Sequence, residues 1–125
     1  MSREIKYRVY DKKEKCYSDK AFSIDQLGIC YVHEDGYWEE IDEERYIVEQ
    51  YTGLKDKNRK EIYVGDIVSE HNGDIIGEII QKPSGEYCIA WIGIYGGSSV
   101  LYDELSMCEV IGNIHENPEL LGGGE

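Results

Sequence analysis

The sequence predicts a mainly β protein built from small antiparallel sheets. Its 125 residues include 16 Ile, 7 Val and 11 Tyr but only 2 Ala and 6 Leu, and β-branched and aromatic side chains favour strands over helices. Short apolar runs alternate with turns that contain Gly, Pro or Asn, as in antiparallel sheets. Because one typical domain has about this length, we expect a single domain over residues 1–125.

The first part of that domain, residues 1–60, is predicted to be a β subregion that ends in a connector. Apolar and polar residues alternate over 5–10, which predicts a strand followed by a hairpin loop. Residues 23–27 are expected to form a short helical turn. Further strands are expected at 29–32, 37–41 and 46–51.

The remaining part, residues 61–125, has turns at nearly even spacing. The dipeptide Asn72-Gly73 favours a type I′ hairpin turn between two apolar runs, and turns at 83–85 and 96–98 bound further strands. Five strands at such spacing resemble a small SH3-like barrel, whose closure removes exposed sheet edges. The side chains expected in its core are Ile67, Ile79, Ile89, Trp91 and Ile111.

A short helix is predicted at the C-terminal end of this barrel. Asn117 can cap it, Pro118 suits its first position, and Glu119 favours the helix dipole. Gly122 then ends it. The predicted C-terminal half is therefore an SH3-like barrel followed by one short helix.

The charge of the chain argues against two classes of partner. Lys plus Arg number 13 against 26 Asp plus Glu, which gives a formal net charge of -13. The negative charge lies in residues 21–54 and 61–125, whereas the short loop 55–60 is basic. Proteins that bind nucleic acids or anionic membranes by neutralising phosphates need the opposite sign. We therefore expect neither as a partner.

Compartment and cysteine spacing predict a fold without disulfides, metals or cofactors. No apolar run is long enough to span a membrane, and the charged start lacks the apolar core of a signal peptide, which predicts a cytoplasmic protein. Cys16, Cys30, Cys88 and Cys108 form no CxxC pair, so we interpret all of them as reduced thiols. Cys30 and Cys88 are expected to pack in strands.

No catalytic or metal-binding residue can be assigned from the sequence. The histidines are His33, His71 and His115, which are far apart in the chain. Nucleophilic catalysis needs Ser or Cys in a recognisable context near a His, and no such motif occurs. The protein is therefore not expected to be an enzyme.

A family resemblance rests mainly on residues 51–68, Tyr-Thr-Gly-Leu-Lys-Asp-Lys-Asn-Arg-Lys-Glu-Ile-Tyr-Val-Gly-Asp-Ile-Val. This stretch, which we call the signature segment, closely resembles the YopX family of phage and prophage proteins. Residues 3–11 and 110–121 fit the same family in the expected order. The resemblance implies a mostly β, phage-encoded protein that acts in the bacterial cytoplasm and has no established activity. The family usually has Gly where this chain has Arg59, and often an acidic residue at Val64.

The signature segment has two interpretations. Gly53 and Gly65 stand where turns need positive φ, which predicts a structural connector. The alternative is an exposed basic and aromatic island suited to a phosphate or an acidic partner. The island would consist of Tyr51, Lys55, Asp56, Lys57 and Lys60.

Two further groups of residues are candidates for partner binding. A run of carboxylates is either a solvated face or an interaction surface. Its candidate residues are Glu39, Glu40, Glu43 and Glu44. A set of aromatic residues either belongs to the core or forms a peptide-binding groove of the SH3 kind. These residues are Trp38, Trp91 and Tyr95.

The absence of a catalytic motif favours a non-enzymatic protein-binding module. We expect a phage or prophage accessory protein that recognises a host or phage protein through its loops and acidic surface. One alternative is a DNA mimic whose carboxylates occupy the basic groove of a nucleic-acid-binding protein. The other alternative is a structural or assembly protein that forms a homo-oligomer through strand edges.

Overall fold

The computed structural model of the protein describes residues 6–93 and 96–122. About half of these residues lie in β-strands, and helix is confined to short 3₁₀ turns, so the mainly β prediction is confirmed. In chain order the strands are β1 (Tyr7–Asp11), β2 (Cys16–Tyr17), β3 (Ala21–Ile24), β4 (Cys30–Glu34), β5 (Tyr37–Glu40), β6 (Tyr46–Lys55), β7 (Glu61–Tyr63), β8 (Asp66–Glu70), β9 (Ile75–Gln81), β10 (Tyr87–Trp91), β11 (Ser98–Val100) and β12 (Glu109–Asn113).

These residues form two compact units. Residues 8–48 make up the first, which we call the N-terminal unit. Residues 6–7 and 49–122 belong to the second, which we call the C-terminal unit. The strands β1 and β6 each begin in one unit and end in the other. The signature segment lies wholly within the C-terminal unit.

The N-terminal unit contains a three-stranded antiparallel sheet with the order β3-β4-β5. Its register pairs Phe22 with Val32 and Val32 with Glu39, so alternate residues of each strand share one face of the sheet. Cys30 and Val32 are buried on one face, whereas the residues of the opposite face are largely exposed. The strands predicted over 29–32 and 37–41 are therefore confirmed.

The helical turn predicted over 23–27 is wrong. Ala21–Ile24 is the strand β3, and the chain then turns at Asp25. The carboxylate oxygen Oδ1 of Asp25 accepts hydrogen bonds from the backbone N–H groups of Leu27 and Ile29, at 2.9 and 3.0 Å. An Asp side chain that bonds nearby backbone N–H groups in this way stabilises a turn in competition with a helix.

The C-terminal unit contains a five-stranded antiparallel sheet with the order β11-β10-β9-β8-β12. The strands β8 to β11 follow one another as neighbours, and β12 returns to pair with β8. Five strands are thus present as predicted, but β11 begins inside the predicted turn 96–98, and a 3₁₀ turn, Leu101–Glu104, follows it directly. A cluster of buried side chains in this unit contains Ile62, Val68, Ile79, Tyr87, Ile89, Leu101, Cys108 and Val110.

The predicted core of this unit is partly correct. Three predicted residues are fully buried, namely Ile67, Ile79 and Ile89. Trp91 and Ile111 are only half-buried. The pairing of β8 with β12 shifts between Val110 and Gly112, so Ile111 lies in a β-bulge that interrupts the inward alternation. Trp91 donates its indole N–H to Ser99 Oγ at 2.8 Å, and a polar indole edge favours a position near the surface.

The hairpin predicted at Asn72-Gly73 is present, but its turn is longer than type I′. Glu70 pairs with Ile75 across β8 and β9, which leaves the whole stretch between them as the loop. His71, Asn72 and Gly73 all have positive φ. A type I′ turn needs positive φ at only its two central residues, so this loop differs from the predicted type.

The predicted C-terminal helix is a single 3₁₀ turn, Pro118–Leu121, in the structure. Gly122 closes this turn with a φ of 77°, as the sequence signal requires. Asn117 does not cap it through its side chain. Its side-chain oxygen Oδ1 instead accepts the backbone N–H of Asn113 at 3.2 Å, which ties the turn to the end of β12.

Candidate functional site

The signature segment is held to the fold by Asp56, which is buried. Its oxygen Oδ1 accepts the backbone N–H groups of Asn58 and Lys60, at 2.8 and 2.9 Å. Its oxygen Oδ2 accepts the backbone N–H of Val110 at 2.9 Å. One carboxylate therefore closes the basic loop and joins it to β12, so Asp56 is a structural anchor.

Residues Tyr51 to Leu54 are held in a similar way. The hydroxyl of Thr52 donates to the carbonyl oxygen of Ile62 at 2.7 Å and accepts the backbone N–H of Leu54 at 3.1 Å. The pairing of β6 with β7 shifts between Tyr51 and Lys55, where Gly53 takes a φ of 83°. The expectation that Gly53 has positive φ is confirmed.

Gly65 is required by a close approach as well as by its backbone. Its φ is 95°, and a Cβ built at this position would overlap the carboxylate of Glu49. Glu49 is buried, and its oxygen Oε2 lies 2.8 Å from Nε2 of His115, whose side chain is also largely buried. The carboxylate of Glu49 therefore sits directly over the glycine. The prediction of positive φ at Gly65 is confirmed.

The exposed island considered for the signature segment is only partly present. Tyr51 and Asp56 are each 5% exposed, so neither side chain lies on the surface and that part of the prediction is wrong. Lys55, Lys57 and Lys60 are exposed, and Lys57 already lies 3.7 Å from a glutamate carboxylate. The geometry of the segment therefore favours the structural connector.

The carboxylate run of the N-terminal unit, which we call the acidic segment, consists of Glu39, Glu40, Glu43 and Glu44. The first two end β5, and the other two lie in the turn before β6. In that turn the carbonyl oxygen of Asp42 accepts the backbone N–H groups of Arg45 and Tyr46, at 2.9 Å each. All side chains of the acidic segment are exposed.

The acidic segment is not neutralised by the rest of the described chain. Residues 21–44 contain no Lys or Arg, and within residues 6–93 and 96–122 no ion pair involves the acidic segment. By contrast, the guanidinium of Arg45 bonds both carboxylate oxygens of Asp11, at 3.0 and 2.8 Å. These bonds hold the pKa of Asp11 far below its ordinary value. The acidic segment therefore has carboxylates available to a cation from outside.

The exposed face of the three-stranded sheet carries an aromatic cluster. We use the name aromatic face for the side chains of Ser23, Tyr31, His33 and Trp38. Register pairs Tyr31 with Ser23 and Glu40, and His33 with Trp38. The rings of His33 and Trp38 are 5.0 Å apart between centroids and inclined by 55°. Trp38 is 54% exposed, so it belongs to the surface and the core interpretation is wrong for this residue.

Tyr31 is fixed on the aromatic face by a carboxylate. Its hydroxyl donates to Oδ2 of Asp25 at 3.0 Å. This bond is the main reason that the pKa of Tyr31 is raised above its usual value, and the negative charge of Glu40 adds to it. A pocket of about 330 Å³ is lined by Ser23, Tyr31 and Trp38. The pocket therefore combines aromatic walls with negative potential.

A second concavity of the N-terminal unit is lined by both apolar and acidic residues. It has a volume of about 460 Å³, and both Glu40 and Glu43 contribute to its lining. Its apolar lining includes Ile29, Ile41, Ile47 and Val48. Glu40 thus lies both on the exposed sheet face and at this cleft.

The cysteines and one buried glutamate lie outside the two candidate surfaces. Cys30, Cys88 and Cys108 are buried and Cys16 is exposed, which agrees with the strand packing expected of Cys30 and Cys88. No cluster of three or more His, Cys, Asp or Glu side chains that could hold a metal ion occurs within residues 6–93 and 96–122. Burial and the neighbouring Glu104 raise the pKa of Glu70 to about 7.

The other aromatic candidates do not join the aromatic face. Trp91 belongs to the C-terminal unit and Trp38 to the N-terminal unit. Tyr95 lies outside the described residues. The candidate surface therefore consists of the acidic segment and the aromatic face.

Comparison with known proteins identifies the family of the chain. The model of the family described as YopX protein matches residues 6–122. The chain belongs to the YopX family. Among curated proteins, none is significantly similar to it. No helix in the described residues has the length and apolar character needed to cross a membrane.

A solved structure resembles this YopX protein over nearly its whole length. It is the crystal structure of protein EF1440 from Enterococcus faecalis, which is 28% identical in sequence. The similarity covers 96% of this chain and 99% of that chain, with a TM-score of 0.65. Both units of the present chain are thus included in the resemblance.

The position at which the signature departs from the family pattern keeps the glycine conformation. Arg59, where the family usually has Gly, has a φ of 69°. The backbone N–H of Arg59 donates to the carbonyl oxygen of Asp56 at 2.9 Å. An L-residue in this region is strained, so Asp56 and its bonds hold the loop against the preference of Arg59.

Three residues of the aromatic face, Ser23, Tyr31 and His33, are not predicted from the sequence as part of a binding surface. The sequence pattern places Ser23 in the predicted helical turn and Tyr31 in a predicted strand, and it offers His33 only as one of three histidines that are far apart in the chain. The alternation of residues in 21–24, 30–34 and 37–40 is the signal that places them together. That signal identifies a shared face only when the pairing of the three strands is known.

Proposed function

We propose that this YopX-family protein is a non-enzymatic binding module that captures a basic segment of a host or phage protein through its acidic segment. The proposal rests on one observation, the exposed carboxylates that lack an ion-pair partner in the described part of the chain. Like charges held close together repel one another. A cationic partner would relieve this repulsion. The carboxylates would attract it over a Debye length of about 8 Å at physiological salt.

The biological setting belongs to the same proposal. The resemblance of residues 51–68 to phage and prophage proteins supports action as an accessory protein in the bacterial cytoplasm. In the signature segment, the polar side chains of Thr52 and Asp56 are already bonded to the fold. This favours the acidic segment over the signature segment as the binding surface. We therefore assign no catalytic residue, metal or cofactor.

For the scaffold, we propose an SH3-like barrel over residues 61–114. The order of the five-stranded sheet supports it, because the last strand, β12, returns to pair with the first, β8. Such a return brings the two ends of a meander together, as barrel closure requires.

A homo-oligomer and a DNA mimic, the two alternative functions, would use the N-terminal unit differently. A homo-oligomer would join sheet edges, and β5 is an edge strand of its sheet. Glu39 and Glu40 would then meet like charges of a second copy, and charged edges oppose such pairing. A DNA mimic would use the acidic segment itself, and it differs from our proposal in that DNA would compete for the same partner.

The test is capture of a partner by two charge-reversed variants. In the first, each carboxylate of the acidic segment is replaced by Lys. The matched control replaces the exposed residues Asp74, Glu86, Asp103 and Glu119 of the C-terminal unit by Lys, which changes the net charge equally. We expect proteins captured from a bacterial lysate by the wild type to be lost by the first variant and kept by the control.

Two further measurements make the test decisive. Capture should weaken as the salt concentration rises above about 0.15 M, since exposed charges are increasingly screened. Competition by DNA would favour the mimic, and a dimeric mass in native buffer that depends on the acidic segment would favour assembly. Equal capture by both variants would contradict the proposed function.

A further inference from the structure

The aromatic face has the features of a receptor for a planar cation. Trp38 is 54% exposed, and together with Ser23 and Tyr31 it lines a pocket of about 330 Å³. Aromatic faces attract cations placed over the ring, and the attraction is strongest for Trp. The sheet therefore presents to solvent the side chain that binds cations best.

The walls of this pocket are fixed before any partner arrives. Tyr31 donates its hydroxyl to Asp25 at 3.0 Å, and Asp25 is itself held by the backbone N–H groups of Leu27 and Ile29. The ring of His33 packs beside Trp38, 5.0 Å away between centroids. A pocket whose side chains are already ordered loses less entropy when a partner binds.

The charge around the pocket selects a cation over other ligands. Register pairs Tyr31 with Glu40, and no Lys or Arg occurs in residues 21–44. A nucleic-acid base could stack on Trp38, but its phosphates would meet only carboxylates in this segment. Charge complementarity therefore favours a basic side chain of a protein.

Among basic side chains, arginine fits this arrangement better than lysine. Its planar guanidinium stacks on an aromatic ring and can bond a carboxylate through two parallel N–H groups, whereas lysine offers a point charge. The N-terminal unit already contains this contact, because the guanidinium of Arg8 lies 4.5 Å from the centroid of Tyr17 and that of Arg45 lies 4.8 Å from Tyr46. The ammonium of Lys20 is farther from Tyr46, at 5.7 Å.

We propose that the aromatic face is the docking site for an arginine side chain of the basic partner, stacked on Trp38 and paired with Glu40. This inference rests on the proposed function and names the residue of the partner that the N-terminal unit recognises. The acidic segment attracts the basic segment, and the aromatic face distinguishes arginine from lysine within it.

The first test compares two peptides by isothermal titration calorimetry. One is a short Gly-Ser peptide with several arginines, and the other has lysine at each arginine position. We expect the arginine peptide to bind about tenfold more tightly. Equal affinities, or tighter binding of a single-stranded oligonucleotide than of the arginine peptide, would overturn the inference.

The second test uses variants of the aromatic face. Trp38→Ala should lower the affinity for the arginine peptide about tenfold, to nearly the affinity for the lysine peptide. Trp38→Phe should keep part of the preference for arginine. Tyr102→Ala removes an aromatic residue of the C-terminal unit that is 70% exposed and should change nothing. Thermal unfolding of each variant verifies its fold. Wild-type affinity in folded Trp38→Ala would refute docking on the aromatic face.

A double variant separates this inference from the proposed function. This variant combines Glu43→Lys and Glu44→Lys, two positions outside the aromatic face. It should lower the affinity for both peptides equally and preserve the preference for arginine. If both peptides weaken but no arginine preference exists, the arginine site is wrong and capture by the acidic segment stands. If the double variant has no effect while Trp38→Ala abolishes the preference, capture by the acidic segment is wrong and the arginine site stands.

Discussion

The signature segment and the acidic segment use polar side chains in opposite ways. In the signature segment, Asp56 accepts backbone N–H groups from both its own loop and β12, and Thr52 bonds the backbone of Ile62. In the acidic segment, exposed carboxylates have no ion-pair partner in the described residues. The difference indicates that the buried polar side chains of the signature segment hold the fold, whereas the carboxylates without an ion-pair partner lie in a different segment.

The largest expected effect is a loss of stability in Gly65→Ala. The new methyl group would overlap the buried carboxylate of Glu49 at a residue whose φ is 95°. We expect the free energy of unfolding to fall by about 3 kcal/mol or more, from backbone strain and overpacking together. Urea denaturation measures this loss.

Gly36→Ala is the matched control for that variant in the N-terminal unit. Gly36 has a similar φ of 85°, but a Cβ there would meet nothing within 4 Å. Its substitution should cost only about 1 kcal/mol, because only the backbone conformation is disfavoured. A loss in Gly65→Ala no larger than that in Gly36→Ala would show that Glu49 does not restrict the signature glycine.

A smaller effect is expected from a buried carboxylate, Glu70, which contrasts with the exposed acidic segment. Burial and the neighbouring Glu104 raise its pKa to about 7, so the folded protein favours the protonated form. Its contribution to stability is present below the ordinary pKa and is lost as the pH rises through about 7. In Glu70→Gln this part of the pH dependence should disappear.

Denaturation at pH 5.5 and pH 8 checks the sign. The free energy of unfolding of the wild type should fall by about 1–3 kcal/mol between the two pH values through this group. Glu70→Gln should be more stable than the wild type at the higher pH. A wild-type stability that rises over this interval, with the same slope in Glu70→Gln, would contradict the burial of the carboxyl group.

The smallest expected effect is a gain of stability in Arg59→Gly. Arg59 has a φ of 69°, which glycine adopts without strain. We expect a gain of about 0.5–1 kcal/mol, whereas Lys60→Gly, where φ is not positive, should lose a similar amount. Loss of stability in Arg59→Gly would indicate that its side chain makes a contact that outweighs the backbone strain.

The fold could be predicted where one residue determines its own conformation. Gly53 and Gly65 have positive φ, and Ile67, Ile79 and Ile89 are fully buried in β8, β9 and β10, so these predictions are confirmed. Ile111 is half-buried instead of buried, because the bulge that contains it depends on the pairing of two strands distant in sequence. Tertiary pairing, rather than local preference, decides such positions.

The candidate site was predictable only in part for the same reason. The acidic segment was visible as a run of charge, and its exposure agrees with the interpretation as a surface. The burial of Tyr51 and Asp56 could not be read locally, because it depends on partners in β7 and β12. The aromatic face brings together residues from three strands, which only the register of the sheet reveals.

The most direct test of where this protein binds is an amide ¹H–¹⁵N titration of the wild type with the arginine peptide. We expect chemical-shift changes to be confined to β3, β4, β5 and the turn at 42–45, with no change in the signature segment. Changes centred on the basic loop 55–60, with none in the three-stranded sheet, would contradict the assignment of binding to the N-terminal unit.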